Sequence, residues 1–469
     1  MALYLDEYKG SHAGGIKKMS SVMKRMAFIL SPAYPAAWLL FGMLFALAAA
    51  HFLAAAWSKT ATAVFYVVPL GWVSVLAWQG RRHVWPVTAL DVLFVGFVLL
   101  VSASLAFQSG FGAESGKYAR FLPFMVVIPY VCGRLMRVAD VALLSRTTLI
   151  AGVAMLPLLL LDRYTSPGQE GGRWSFFGYD HAALLVGALL AAALLALCVR
   201  VLGCCNPEVR NDRSERWIYW GLMGLVTVLL VWVKARGWLL AGLAAVTVAC
   251  LTARHRFITT RIGLLAVVLA IAGITVVSLP RLDPQSGRFY ALLLTPPTPV
   301  GTGLTQATAV DTSLAKASPI LGEASCRPLK EGTNSVAIRW VLYQEAVAMF
   351  TEHSYLGVGA ARFGEHSCTG PGGFPHSTIL QGFAELGLVG GGLLVGLLAL
   401  AAVTLVHPIL FVTQGTNWSA DSFVLALFAA FFVGDQIYGN YFMSVGMWLM
   451  LGIASSMRAN ERQGCVSRG

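Results

Sequence analysis

One histidine and a few arginines stand out from an otherwise apolar sequence, and they offer acid–base and anion chemistry. His376 lies in FPHSTILQGFAELGLVG, just before a long apolar run. A helix beginning there turns its positive end toward the ring, and nearby arginines act in the same sense. Both disfavour the imidazolium, so a neutral ring would accept a proton as a general base must. The alternative is an interfacial histidine that only hydrogen-bonds a loop carbonyl. Arg236, in VKARGWLLAG, falls in a very short link between two apolar runs. A guanidinium at such a boundary is costly unless it snorkels into water or meets an anion, and its fork matches phosphate oxygens. Arg173, in EGGRWSFFGYDHAALL, follows two glycines and precedes an aromatic. It reads either as an anion ligand or as a solvated loop residue. Arg339, in SVAIRWVLYQEAVAMFTEH, either reaches inward or belongs to a polar helix face. Arg120, beside Lys117, and Arg288 are weaker candidates of the same kind.

The sequence also excludes chemistries. It has no D-x-D or E-x-D pair and no H-E-x-x-H, so the hard oxygen ligands of a metal-dependent transferase are missing and no metal or other cofactor is expected. Without a glycine-rich loop ending in G-K-[ST], ATP hydrolysis is not expected. Acids within apolar runs include Asp91, Glu385 and Asp435. Glu385 follows His376 by nine residues, about 13 Å along a helix, too far for direct contact.

The elements that must position these residues are membrane helices. The 469 residues are 57% hydrophobic and 12% charged, with a mean hydropathy of +0.69. That charged share is about half the roughly 25% of soluble domains, so lipid must serve as solvent for much of the chain. The net charge of +12 is scattered between apolar runs and forms no basic domain, which argues against nucleic acid as a partner. Spans of about 20 apolar residues are expected at 36–57, 61–79, 86–107, 119–136, 138–161, 182–202, 217–233, 237–253, 262–279, 378–406, 422–438 and 441–457. The first follows Lys17, Lys18, Lys24 and Arg25 and reads as a signal anchor. Pro123, Pro129, Arg134, Arg137 and Arg146 shorten the apolar cores of the fourth and fifth.

A cytoplasmic N-terminus places 20 of the 34 basic residues inside, the C-terminus included. The short outer loops then hold only Lys59, Lys117, Arg120, Arg163, Arg173, Lys234 and Arg236, so the candidate cations share the outer face with His376. The expected organisation is a membrane region over 1–279, one large outer loop over 280–377, and a second membrane region with a cytoplasmic tail over 378–469. Within the loop, Ile338, Val341, Leu342, Ala346, Met349 and Phe350 follow helical spacing and predict an amphipathic helix over about 335–352. Cys326 and Cys368, alone in that loop, would close about forty residues if paired, worth about 4 kcal/mol; two free thiols are the alternative.

Four stretches resemble the O-antigen ligase and polymerase superfamily of bacterial envelope glycosyltransferases. VKARGWLLAG is similar to its S-R-G-a-W-l segment. SVAIRWVLYQEAVAMF followed by SYLGVGAARF resembles R-x-x-x-W-x-x-A … P-x-x-G-x-G-x-x-x-F, with Tyr343 for the aromatic and Ser354 for the usual proline. HSTILQGFAELGLVG resembles H-N-x-x-L-x-x-x-x-E-x-G-l-x-G, with Ser377 for asparagine. GGRWSFFGYDHAALL resembles R-x-x-G-x-x-x-x-N-x-x-A, with His181 for asparagine.

The resemblance implies an all-α integral membrane protein of about twelve transmembrane helices with a GT-C-like plan, its large periplasmic loop lying between spans nine and ten. It implies a bacterial inner-membrane glycosyltransferase that takes a glycan from undecaprenyl diphosphate, without metal or ATP, to a sugar hydroxyl of lipid A–core. The family's histidine carries over to His376 as general base, and its arginines to Arg236, Arg173 and Arg339 as diphosphate ligands. An O-antigen polymerase and a protein O-oligosaccharyltransferase share the donor chemistry; the single large outer loop favours the ligase. A twelve-helix transporter would need two similar halves and charges near the membrane midplane, and the sequence has neither.

Overall fold

The computed structural model describes residues 31–53, 67–75, 86–107, 113–165, 182–204, 213–233, 235–252, 258–282, 335–367, 373–411 and 418–466. Among them the regular structure is entirely helical: α1 (Ala33–Leu53), α2 (67–75), α3 (Ala89–Phe107), α4 (Ala113–Phe121), α5 (Ile128–Arg134), α6 (Val138–Thr165), α7 (Ala182–Cys204), α8 (Arg213–Trp232), α9 (Arg236–Thr252), α10 (Ile258–Leu282), α11 (Ser335–Glu352), α12 (Phe363–His366), α13 (Thr378–Phe411), α14 (Trp418–Tyr438) and α15 (Val445–Val466). Among the described residues, six segments are long and apolar enough to cross a membrane, in α3, α6, α7, α10, α13 and α14; α1, α8 and α9 contribute shorter apolar stretches. The helix expected over 335–352 forms as α11.

Burial follows the apolar pattern of each helix. α7 reads AALLVGALLAAALLALCV, hydrophobic on every side, and its side chains from Val186 to Leu202 are almost all buried. Such a helix belongs in the middle, and α1, α6, α8, α9 and α14 pack around it. α10 turns exposed Ile262, Leu269, Ile274 and Val277 outward, as a lipid-facing helix does.

The stretch expected as one span at 119–136 is broken in register. Pro123 and Pro129 have no N–H to donate, and a π-helical turn over Leu122–Val127 separates α4 from α5. Past that turn α5 crosses α15 at backbone contact. A Cβ on Gly133 would strike the Leu449 carbonyl, and one on Gly452 would strike that of Tyr130. Small residues permit such an approach.

The crossing closes a polar knot. The Asp91 carboxylate accepts from the Thr88 backbone N–H and hydroxyl at 2.8 and 3.0 Å, from Tyr130 at 2.8 Å and from Ser455 at 2.8 Å. It also pairs with the Arg134 guanidinium at 3.1 Å. Every bond an acid at a helix start needs is supplied from neighbouring elements.

Candidate active site at a junction of helix ends

The local structure around His376 starts with its backbone. Its φ is +55°, a left-handed conformation that histidine enters more readily than most side chains. Phe374 packs on the imidazole with ring centroids 4.4 Å apart. Ser377 then caps α13: its hydroxyl accepts from the Leu380 N–H at 3.4 Å and donates to Gln436 Oε1 at 2.9 Å. The Thr378 hydroxyl donates to the Asp435 carbonyl at 3.2 Å. The start of α13 is thereby tied to the end of α14.

Two further elements reach the same end of α14. The Gly237 N–H, in the first turn of α9, donates to the Tyr438 hydroxyl at 3.0 Å. Any Cβ at Gly237 would collide with the Tyr438 ring and with Ile437, so glycine is required for this approach. From α11, the Arg339 guanidinium stacks over the Tyr438 ring at 4.9 Å and the Tyr343 hydroxyl donates to the Gln436 carbonyl at 3.2 Å. Burial raises the Tyr343 hydroxyl above its ordinary 10.0, with Arg339 pulling the other way, so it stays protonated and able to donate at neutral pH.

Residues 435–438 thus gather Arg339, the first turn of α9 through the Gly237 N–H, and the turn that follows His376. Two helix N-termini, those of α9 and α13, bring their partial positive charge there. A half-buried imidazole in that setting can take a proton beside an anion.

The geometry of α13 is set nine residues further on. Gly387 has φ +63° and interrupts the helix. The break would leave unpaired the carbonyls of Ala384 and Glu385 and the N–H groups of Leu388 and Val389. The turn after α11 supplies all four partners. Val358 and Gly359 donate to the two carbonyls at 3.0 and 2.9 Å, while Ser354 and Tyr355 accept from the two N–H groups at 2.7 and 3.4 Å. Gly357, with φ +69°, faces the Glu385 backbone too closely for a side chain, as Gly387 faces that of Tyr355. The buried Glu385 carboxylate completes the join, accepting from Ala361 N–H at 2.9 Å, Phe363 N–H at 3.3 Å, Gln381 at 3.2 Å and the Tyr441 hydroxyl at 2.7 Å. Irregular backbone at membrane depth survives where protein satisfies it, and here it is satisfied.

Arg120 is exposed and donates to the Gly116 carbonyl of its own helix at 3.2 Å; among the described residues nothing joins it to the junction. Arg173, His181, Cys326, Cys368 and the Arg236 side chain lie outside the described residues. Gln436, Tyr438 and Tyr343 join the site although none of them carries a charge. A polar pair, Asp435–Gln436, ending an otherwise apolar helix was the available signal.

No curated protein matches the chain. Residues 221–395, which hold Arg236, Arg339, His376 and Glu385, match the family model described as O-Antigen ligase. The matched residues are less than half of the chain; over them it is similar to the O-antigen ligase family, and the motifs carrying Arg236, Arg339 and His376 all fall inside the match.

Proposed function

We propose that the protein is an O-antigen ligase of the bacterial inner membrane, transferring a glycan from undecaprenyl diphosphate to a sugar hydroxyl of lipid A–core. The observation that carries the reading is the convergence of the His376 turn, the start of α9 at Arg236, and Arg339 on residues 435–438. In this reading about twelve helices span the membrane, both termini are cytoplasmic and the junction faces the periplasm beneath the loop 280–377. Its support is the distribution of basic residues.

The chemistry is a single displacement. The acceptor hydroxyl forms a bond to the anomeric carbon as His376 takes its proton, and the bond from that carbon to the diphosphate oxygen breaks, its electron pair leaving with the lipid diphosphate. One nucleophile attacking opposite the leaving group inverts the anomeric centre. Arg236 and Arg339, with Arg173 from its loop, would hold the departing charge together with the two helix ends. Fixed cations in a water-poor site do here what a metal does in other transferases, so EDTA is expected to leave transfer unchanged.

Deleting the gene tests the reading against its nearest rival. A ligase leaves full-length polymer unligated on its lipid. A polymerase leaves core bearing single repeats, and that product would replace the ligase assignment.

A further inference from the structure

Two carboxamides at the junction are half used. Gln436 Oε1 accepts from the Ser377 hydroxyl at 2.9 Å and from the Ile379 N–H at 3.5 Å. Asn440 Oδ1 accepts from the Phe442 N–H at 3.0 Å. A backbone N–H can only donate, so the atom facing it in each case is the carbonyl oxygen, and the amide orientation is fixed. The amino groups point the other way. Gln436 Nε2 and Asn440 Nδ2 are both buried and neither has a hydrogen-bond partner. Asn440 as a whole is 2% exposed. Burying an amide donor without an acceptor is costly, and few native structures keep such groups without a use.

Their surroundings say what kind of acceptor suits them. Gln436 is bonded to the capping turn of α13 and lies two residues from Tyr438, which holds the first turn of α9 and carries Arg339. The backbone carbonyl of Asn440 accepts from Ser444, whose hydroxyl is 3.4 Å from that of Thr378. Two helix N-termini and a guanidinium favour an anionic oxygen over a neutral one. Asp435 opposes them, which is a reason for neutral donors to be needed in addition to charged ones.

We infer that the amino groups of Gln436 and Asn440 are ligands for the anionic oxygens of the lipid-linked diphosphate. This rests on the glycan-transfer reading and extends its site to α14 and the turn after it, beyond the matched residues 221–395. Both nitrogens are closed to solvent, so the side chains around them must move to admit the phosphate.

Gln436→Glu keeps the oxygen that Ser377 needs and replaces only the amino group. Full-length protein in proteoliposomes, with lipid-linked donor and core acceptor varied separately, gives the readout. The variant is expected to raise the donor KM, and the inhibition constant of undecaprenyl diphosphate, by about 10-fold or more, with the acceptor KM within about twofold. Asn440→Asp should act in the same direction. If Gln436→Glu does not assemble, Gln436→Met, which adds no charge, must weaken undecaprenyl diphosphate likewise. A change in acceptor KM alone, or in kcat with both donor constants unmoved, overturns the inference. His376→Ala run beside it separates the two levels. Loss of transfer there with unaltered Gln436→Glu constants discards only the carboxamides, whereas absence of transfer by the unsubstituted protein discards the glycosyl-transfer reading itself.

Discussion

Two polar clusters sit toward opposite ends of α3, and they are built to different rules. At its start, Asp91 takes bonds from Thr88, Tyr130, Arg134 and Ser455, and Arg134 also donates to the Pro86 carbonyl at 2.9 Å. Near its end, the Ser104 hydroxyl accepts from the Ala360 N–H at 2.8 Å, beside the join that supports the junction. At the junction itself Asp435 Oδ2, Gln436 Nε2 and Asn440 Nδ2 are buried with bonds still to make. A saturated network holds helices in place, whereas an unsaturated one of the same composition holds capacity for something absent. The difference supports the proposal that substrate binds at the junction and not at the Asp91 knot.

Breaking the unsaturated cluster should cost activity and little stability. His376→Ala is expected to lower transfer by about 10²–10⁴-fold, the usual range for a general base, with the melting temperature in detergent nearly unchanged. Arg236→Ala should behave similarly. Near-normal transfer by either would remove that residue from the site. Breaking the saturated cluster should do the reverse. Asp91→Ala leaves Arg134 without its counter-charge and should cost about 3–5 kcal/mol of stability, read by thermal unfolding, while transfer per folded molecule stays within about twofold. Equal damage to both quantities would erase the distinction.

Gly387→Ala tests the join between them. A side chain there adopts a left-handed φ and meets the Tyr355 carbonyl, so a loss of about 2 kcal/mol or more is expected, with less folded protein recovered. The smallest effect concerns pH. Burial, with Arg362 and His353, lowers the His366 pKa below 6.5 against the opposing pull of Glu365. The folded state therefore binds fewer protons than the unfolded one. The stability this contributes is present above about pH 6.5 and is lost as pH falls toward the folded value. His366→Gln should flatten the dependence of melting temperature on pH in that window. An unchanged slope would assign it to other groups.

Much of the architecture could be read from residue order alone, because hydrophobic periodicity is a local property. Helix α11 over 335–352 and the helix starts at Arg236 and Thr378 are of this kind. The junction was only half legible. His376 and Arg339 carry charge or titrate, which draws attention, but their meeting point is Gln436 and Tyr438, neutral residues whose role exists only after α14 packs against α9 and α13. The Glu385 join was also hidden. The carboxylate lay in a recognisable motif, yet the interruption at Gly387 sits in a run, LGLVGGGLL, that reads as unbroken helix. Only the partner turn, some thirty residues upstream, shows why a glycine there must turn left-handed.

That partner turn has a consequence for variation. Its bonds to α13 are made by carbonyls and N–H groups, which nearly every amino acid possesses, so the side chains of Ser354, Tyr355 and Leu356 are free to drift. Ser354 contributes only a carbonyl to the four bonds, and proline, the usual residue at this place in the resembling motif, would contribute the same one. The replacement is silent for the splint. Gly357 and Gly387 have no such latitude: homologous chains that differ widely across this segment are expected to retain glycine at these two positions.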